Sequence, residues 1–293
     1  MSSALVFGEI LWDIFGEKKE IGGAAFNFAS HMASLGDEVH LATAVGDDEL
    51  GRAALEEINK RKVCSDLVTI ADKPTGACHV TLGPDGKPSY DLLDNIAYDY
   101  ITATIDRRFD MLYLGTLARR REVSRNTCLD LMTSGLFSEV FCDINVRKPF
   151  ISPEVTMEAL KHSTIVKLSR EEYRLLEEYG IARVRGGDYN EGLCMSLSNA
   201  FPNLHTVIVT LDKDGAMLYS AMNECFIYSE KPVSKLVSAV GAGDSFSACF
   251  MHNYLNGRSL TECLNRGVLL SDYVVTQLGA VPELNEALKE RII

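Results

Sequence analysis

Short runs rich in β-branched and aromatic residues recur along the chain, among them "ALVFGEIL", "VHLATAV", "DMLYLGT", "EVFCDINV", "TIVKLS" and "TVIVTL". Longer segments of helical appearance separate them. "GRAALEEINKRK" and "SREEYRLLEEYG" carry apolar residues at helical spacing, and Ser169 stands at the cap position of the second. That alternation predicts an α/β fold, a mainly parallel central sheet flanked by helices. One segment breaks it: "TGACHVTLGPDGKPSYDLLDNIAYDYI", residues 75–101. Val80 and Leu82 alternate with polar partners, and "GPDGKP" is a turn signal before a second extended run. A hairpin projecting from the main sheet and an ordinary edge hairpin both fit this pattern.

With 293 residues, 46% of them hydrophobic, the chain is long enough to bury a substantial core, as one large domain or two smaller ones. Lys and Arg total 29 against 41 Asp and Glu, a formal charge of −12 that argues against broad binding to nucleic acid or to an anionic membrane. The eight cysteines show no C-x-x-C pair and no His at zinc-finger spacing, which predicts reduced thiols in a cytoplasmic protein. Cys64, Cys142 and Cys249 read as small buried residues. The start, "MSSALVFGEILWDIFGEKKE", is apolar but lacks a basic leader and is interrupted by Glu9 and Asp13. It reads as a buried first strand and not as a signal peptide. No stretch approaches the roughly 20 uninterrupted apolar residues of a membrane helix.

Two segments carry chemistry. In "SAVGAGDSFSACF", residues 238–250, a glycine turn opens a helix-like run with Asp244 at its start. A helix start offers unpaired N–H groups and partial positive charge to an anion, and a carboxylate beside it suits a proton acceptor. A plain cap role for Asp244 fits the same pattern. The segment lies far from the N-terminal place of a dinucleotide fingerprint, and the chain has no P-loop. In "IGGAAFNFASHMASLG", residues 21–36, Gly22 and Gly23 allow close backbone approach, and Asn27 has the donor and acceptor a sugar hydroxyl needs. Ala24, Ala25, Ala29 and Ala33 read as helix packing.

"GGAAFNFASHMASLG" followed by "AVGDDELG", and much later "VGAGDSFSACF", resemble the two signatures of the ribokinase-like, or PfkB, carbohydrate kinase family. The resemblance covers nearly the whole chain. It implies ATP-dependent phosphorylation of a small alcohol, usually a sugar, on a three-layer α/β fold. Residues 1–293 then form one kinase domain, with the strands of a small β-lid from about 12–22 and 76–103. Asp244 matches the family's catalytic base, and Gly241, Ala242 and Gly243 match the turn that stabilises the transferred phosphate. Asp13, Gly23 and Asn27 match sugar-binding positions, although a turn or cap role also fits Asp13.

"DINVR", residues 143–147, is similar to the D-x-N-x-R segment of fructokinases, "GTLARRREVSR" resembles their G-S-L-A-x-R stretch, and "AYD" stands where many have A-W-D. These favour fructose and make Asn145, Arg147 and Arg120 second-rank sugar candidates. Within Arg119–Arg121, at least one arginine reads as part of a solvated charged loop. 2-Keto-3-deoxygluconate kinase shares the D-x-N-x-R resemblance, and a non-catalytic sugar sensor on the same fold is the alternative from another class. "KLSREE" resembles the N-x-x-E element, with Lys167 on the nucleotide side, Ser169 replacing Asn, and Glu172 keeping the carboxylate that organises Mg²⁺ through water. "VTLDKDGAMLY" resembles T-x-G-x-x-G and places Thr210 and Gly215 at the nucleotide, with Asp212 where the middle glycine belongs. "QLGAVPEL" is similar to the segment beside the adenine. Lids in related kinases often pair, which implies a homodimer through the lid.

Members activated by K⁺ commonly have Asp-Thr just before the glycine turn, whereas this chain has Ser238 and Ala239. Loss of a carboxylate weakens a monovalent-cation site. The expected result is little K⁺ activation, read by comparing rates in potassium and tetramethylammonium salts. A rate increase specific to potassium would show that other ligands maintain the site.

Overall fold

The computed structural model describes residues 1–82, 88–147, 149–184, 188–230 and 235–293. Its strands are β1 (Ser3–Phe7), β2 (Leu11–Phe15), β3 (Lys18–Gly22), β4 (Glu38–Gly46), β5 (Val68–Ala71), β6 (Ala77–Leu82), β7 (Pro88–Leu92), β8 (Phe109–Leu114), β9 (Phe137–Asp143), β10 (Ile165–Ser169), β11 (Thr206–Thr210), β12 (Ala216–Ser220) and β13 (Cys225–Ser229). The helices are α1 (Ala24–Ser34), α2 (Glu49–Lys60), α3 (Glu122–Thr133), α4 (Pro153–His162), α5 (Arg170–Glu178), α6 (Tyr189–Ala200), α7 (Ala242–Leu255), α8 (Leu260–Val275) and α9 (Glu286–Ile292).

Nine strands form the central sheet in the order β13-β12-β11-β10-β9-β8-β1-β4-β5. All neighbours pair parallel except β11-β12 and β12-β13. The first strand lies inside this sheet, between β8 and β4, and is buried from Ala4 to Phe7. Strand alternation divides the core. Ala4, Val6, Met111 and Tyr113 pack with apolar residues of α1, α2, α7 and α8, while Leu5, Phe7, Leu112 and Leu114 pack with those of α3, α4, α5 and α6. The result is three layers, helix–sheet–helix, in which strands buried on both faces read as nearly continuous apolar runs.

Helix boundaries follow local chemistry. Ser169 caps α5 and forms a reciprocal box with Glu172. Asp48 caps α2 by accepting from Gly51 N at 2.7 Å, and its other oxygen accepts from Thr75 N at 2.8 Å. Burial alone would raise the Asp48 pKa, but the bonds from Thr75 and Gly51 outweigh it and hold the carboxyl below its ordinary range.

A second sheet of four strands, β3-β2-β6-β7, stands apart from the first. The apolar run "ALVFGEIL", expected as one strand, is divided between the two sheets: β1 ends at Phe7 and β2 begins at Leu11. Trp12 Nε1 donates to Leu50 O at 3.0 Å and ties the second sheet to α2. The expected extension of the lid segment to residue 103 is corrected. Beyond β7 the chain enters the main core, where Ile96, Ala97, Tyr98 and Ile101 are buried and Ile101 N bonds Ser124 Oγ at 2.8 Å. The "GPDGKP" turn falls largely on residues 83–87, outside the described residues. Cys142 and Cys249 are buried, whereas Cys64 is half-exposed because it sits at an isolated bridge to His40 and not within a strand. Among the described residues no helix is long and apolar enough to cross a membrane.

Candidate active site

At the carboxyl ends of the central strands lies a cavity of about 660 Å³, lined by the N-terminus of α7, the loop after β9, the start of α1 and one face of the second sheet. Such a crevice is where open parallel sheets bind ligands.

The α7 terminus is built from its glycines. Gly241, the N-cap, has φ 79°, and a Cβ there would fall 2.4 Å from Ala280 O, so only glycine fits. No side chain caps this helix start. Gly241, Gly243 and Asp244 line the cavity, so the helix presents its partial positive charge and a carboxylate together. Burial raises the Asp244 pKa, against lowering by Asn27, Lys167 and Arg147.

Asn27 Nδ2 donates to Asp244 Oδ2 at 2.9 Å. Asn27 Oδ1 is buried with no hydrogen-bond partner among the described residues, and is an acceptor left for a ligand hydroxyl. Gly23, N-cap of α1, has φ 106°, and a Cβ on it would meet Glu9 O at 2.5 Å. The close approach expected of "GGAAFN" is therefore backbone against backbone. Of the α1 alanines, Ala25 and Ala29 are buried in the core, while Ala24 also faces the cavity.

Under the turn, Lys167 Nζ lies 3.1 Å from each oxygen of Asp143. Burial alone would lower the lysine's pKa, but the Asp143 charge reverses this and raises it. Asp143 is pushed up to about 6, chiefly by burial and against the pull of Lys167. A Cβ on Gly243 would sit 3.0 Å from Lys167 Nζ, so the turn rests directly on the buried pair.

The second sheet supplies the opposite wall. Glu20 pairs with Asp13, Asp13 with Cys78 and Cys78 with Leu92 in register, and all four line the cavity. Burial and the neighbouring Glu20 raise the Asp13 pKa. Asn145 and Arg147 complete the lining after β9, with Asn145 in a left-handed conformation at φ 42°.

Other expected residues lie elsewhere. Arg120, expected at the sugar, is corrected: it does not line the cavity. Its Nε donates to Asp99 Oδ1 at 2.6 Å and its Nη2 to Leu93 O at 2.7 Å, with the guanidinium stacked 4.3 Å from the Phe150 ring centroid. The Arg120–Asp99 pair is 3% and 0% exposed, so "AYD" and "ARR" serve each other. Arg119 is fully buried against Glu158, and Arg121 is the partly exposed member of the three, paired with Asp94. Glu172 is also outside the lining. It accepts from Val146 N at 2.6 Å and Ser169 N at 2.7 Å, anchoring the loop that carries Asn145 and Arg147. Thr210 ends β11 beside Ser169, and neither Thr210 nor Gly215 reaches the cavity. Asp212 has φ 53°, which explains a glycine in the family pattern, and its side chain is exposed. Among the described residues no group of three or more His, Cys, Asp or Glu is arranged to hold a metal ion.

Glu9 is the residue that the sequence reading missed. It is 3% exposed, lines the cavity, and accepts from Ala24 N at 3.1 Å through Oε1. Burial raises its pKa, with Arg147 opposing. Its signal was a carboxylate two residues past an apolar strand.

Residues 4–287 match the pfkB family of carbohydrate kinases. The chain belongs to that family. This carbohydrate kinase, a phosphotransferase acting on sugars, is 26% identical over 260 residues to an uncharacterized sugar kinase of Archaeoglobus fulgidus, covering 85% of this chain and 96% of that one. It is 26% identical over 311 residues to a probable fructokinase-5 of Arabidopsis thaliana, covering 95% and 93%. The crystal structure of fructokinase from Vibrio cholerae O395 in its fructose, ADP and calcium ion bound form superposes with TM-score 0.84 at 19% identity, covering 100% and 99%, and so shares the fold.

In this kinase the Lys167–Asp143 pair is a buried ion pair whose halves depend on each other. Lys167→Met should destabilise the fold by about 3–5 kcal/mol by stranding Asp143, and Lys167→Met with Asp143→Leu should recover most of that in urea unfolding. A single substitution as stable as wild type would show that the pair carries no such coupling.

Proposed function

We propose that this carbohydrate kinase is an ATP-dependent fructokinase that transfers the γ-phosphoryl group of ATP to a fructose hydroxyl, giving fructose 6-phosphate and ADP. The observation that supports the reading is the bond from Asn27 to Asp244 at the uncapped start of α7, in a cavity that Gly241 and Gly243 also line. Asp244 takes the proton of the attacking hydroxyl as the new O–P bond forms and the bond from the γ-phosphorus to the β–γ bridging oxygen breaks. The backbone amides of the Gly241–Gly243 turn meet the charge on the transferred group. Lys167 holds the turn from below and adds positive charge on the phosphate side, while Thr210 and Gly215 flank the nucleotide further along the sheet edge.

Mg²⁺ supplies charge neutralisation of the nucleotide phosphates when bound. Glu172 would hold it through water: each of its oxygens accepts one backbone N–H and keeps a lone pair for a further donor. K⁺ contributes little in this reading.

For the sugar, Asp13, Gly23, Asn27, Asn145 and Arg147 share the cavity, and a 26% identical relative is a probable fructokinase. The lining carries Glu9, Asp13, Glu20 and Asp244, a surplus of carboxylates that favours a neutral sugar. Arg147 favours the second reading, 2-keto-3-deoxygluconate, because a cation at the cavity suits the extra carboxylate of that substrate. In either case the second sheet acts as a lid that excludes water. The place of action is the cytoplasm.

The test is ADP release with Mg²⁺-ATP against fructose, ribose, 2-keto-3-deoxygluconate, glucose and adenosine. Fructose should give the highest turnover, and Asp244→Asn should lower it by about 10²-fold or more while ATP still binds. Turnover confined to another substrate would discard fructose, and near-normal turnover in the variant would remove Asp244 from its role. The lid also serves as the interface of a homodimer, and sedimentation giving only monomer at micromolar concentration would count against that.

A further inference from the structure

Two side chains of helix α1, one helical turn apart, reach the start of α7 and the loop behind it. Asn27 bonds Asp244 directly. His31, which is fully buried, lies with Nε2 2.9 Å from Ala280 O. Ala280 is in turn the wall behind the glycine turn, since a Cβ on Gly241 would stand 2.4 Å from its carbonyl oxygen and 2.7 Å from its Cα. From the other side Arg61, just past α2, donates Nη1 to Val281 O at 3.0 Å. The loop after α8 is thus held by two side chains at consecutive carbonyls, with Gly241 packed against it.

The chemistry of His31 suits a fixed tether. Burial lowers its pKa to about 4, outweighing the bond to Ala280, and the Arg61 charge acts in the same direction. The ring is therefore neutral at pH 7 with one N–H. A carbonyl only accepts, so that N–H is on Nε2. Nδ1 is then a bare acceptor, in keeping with its having no hydrogen-bond partner among the described residues. Gly241 has no side-chain cap and a left-handed backbone, so the start of α7 depends on the wall it packs against.

We propose that His31 is a positioning residue for phosphoryl transfer: by fixing the Ala280 backbone behind Gly241, it holds the Gly241–Gly243 turn in line with Asp244. One face of α1 then sets both halves of the site, the base through Asn27 and the anion cradle through His31. The inference rests on the proposed reading of that turn as the phosphate cradle.

The experiment compares His31→Ala, His31→Gln and Arg61→Met in the full chain, measuring kcat, KM for sugar and ATP, thermal unfolding, and amide hydrogen exchange across residues 239–245. His31→Ala should lower kcat about 10–10²-fold, the effect of a misplaced catalytic group, while sugar KM stays within about threefold. Exchange should rise at residues 239–245. His31→Gln, whose side-chain amide can donate from a similar position, should restore most of kcat, and Arg61→Met should shift kcat and exchange in the same direction by less. A loss of kcat in both His31 variants that tracks lost thermal stability, with exchange at 239–245 unchanged, would overturn the proposal. If His31→Ala does not fold, wild-type kcat and exchange in Arg61→Met overturn it. Asp244→Asn is run beside them: full turnover there would sink the reading of the site, while the exchange data would still report whether His31 holds the turn.

Discussion

The buried pair of Lys167 and Asp143 is the constraint around which the site is arranged. Asp143 ends β9 and Lys167 lies opposite it in register on β10, so the pair locks the ends of two central strands together. Ser247 Oγ on α7 also donates to Asp143, at 3.3 Å, and Gly243 sits against the lysine amine. Two strands and one helix therefore share a single charge-compensated contact. Neither ion is tolerable there alone, because burial penalises an uncompensated charge far more than a surface does. The glycine at 243 follows from this contact, since a side chain would have to displace the amine.

The opposite wall shows a different use of charge. Placing Asp13 and Glu20 across from each other on β2 and β3 opposes like charges, which weakens strand pairing. The raised pKa of Asp13 records that repulsion together with burial. Lys18, 2.5 Å from Glu20, relieves part of it from the exposed end of the strand. Arrangements that lower stability without serving the core concentrate where ligands bind, and here the affected row faces the cavity.

Much of this was legible in the sequence. The runs "EVFCDINV", "TIVKLS" and "TVIVTL" contain β9, β10 and β11, because continuous β-branched and aromatic stretches have few alternatives once both faces are covered. The Ser169 cap and the glycine turn before Asp244 were legible because capping and left-handed backbone depend on neighbours within a few residues. Arg120 was misplaced for the opposite reason. Motif similarity marked it and Asp99 separately, whereas their mutual pairing is a contact across 21 residues.

The sequence alone determined the family, the layered α/β class and the identity of Asn27 and Asp244 as site candidates, since these rest on local pattern and motif order. Tertiary structure decided where one apolar run divides between two sheets, that Glu9 faces the cavity, that Glu172 anchors a loop, and that His31 reaches Ala280 across 249 residues. Each of these depends on which distant group meets a buried polar atom, and hydrogen-bond satisfaction between distant segments leaves no periodicity in the chain to read.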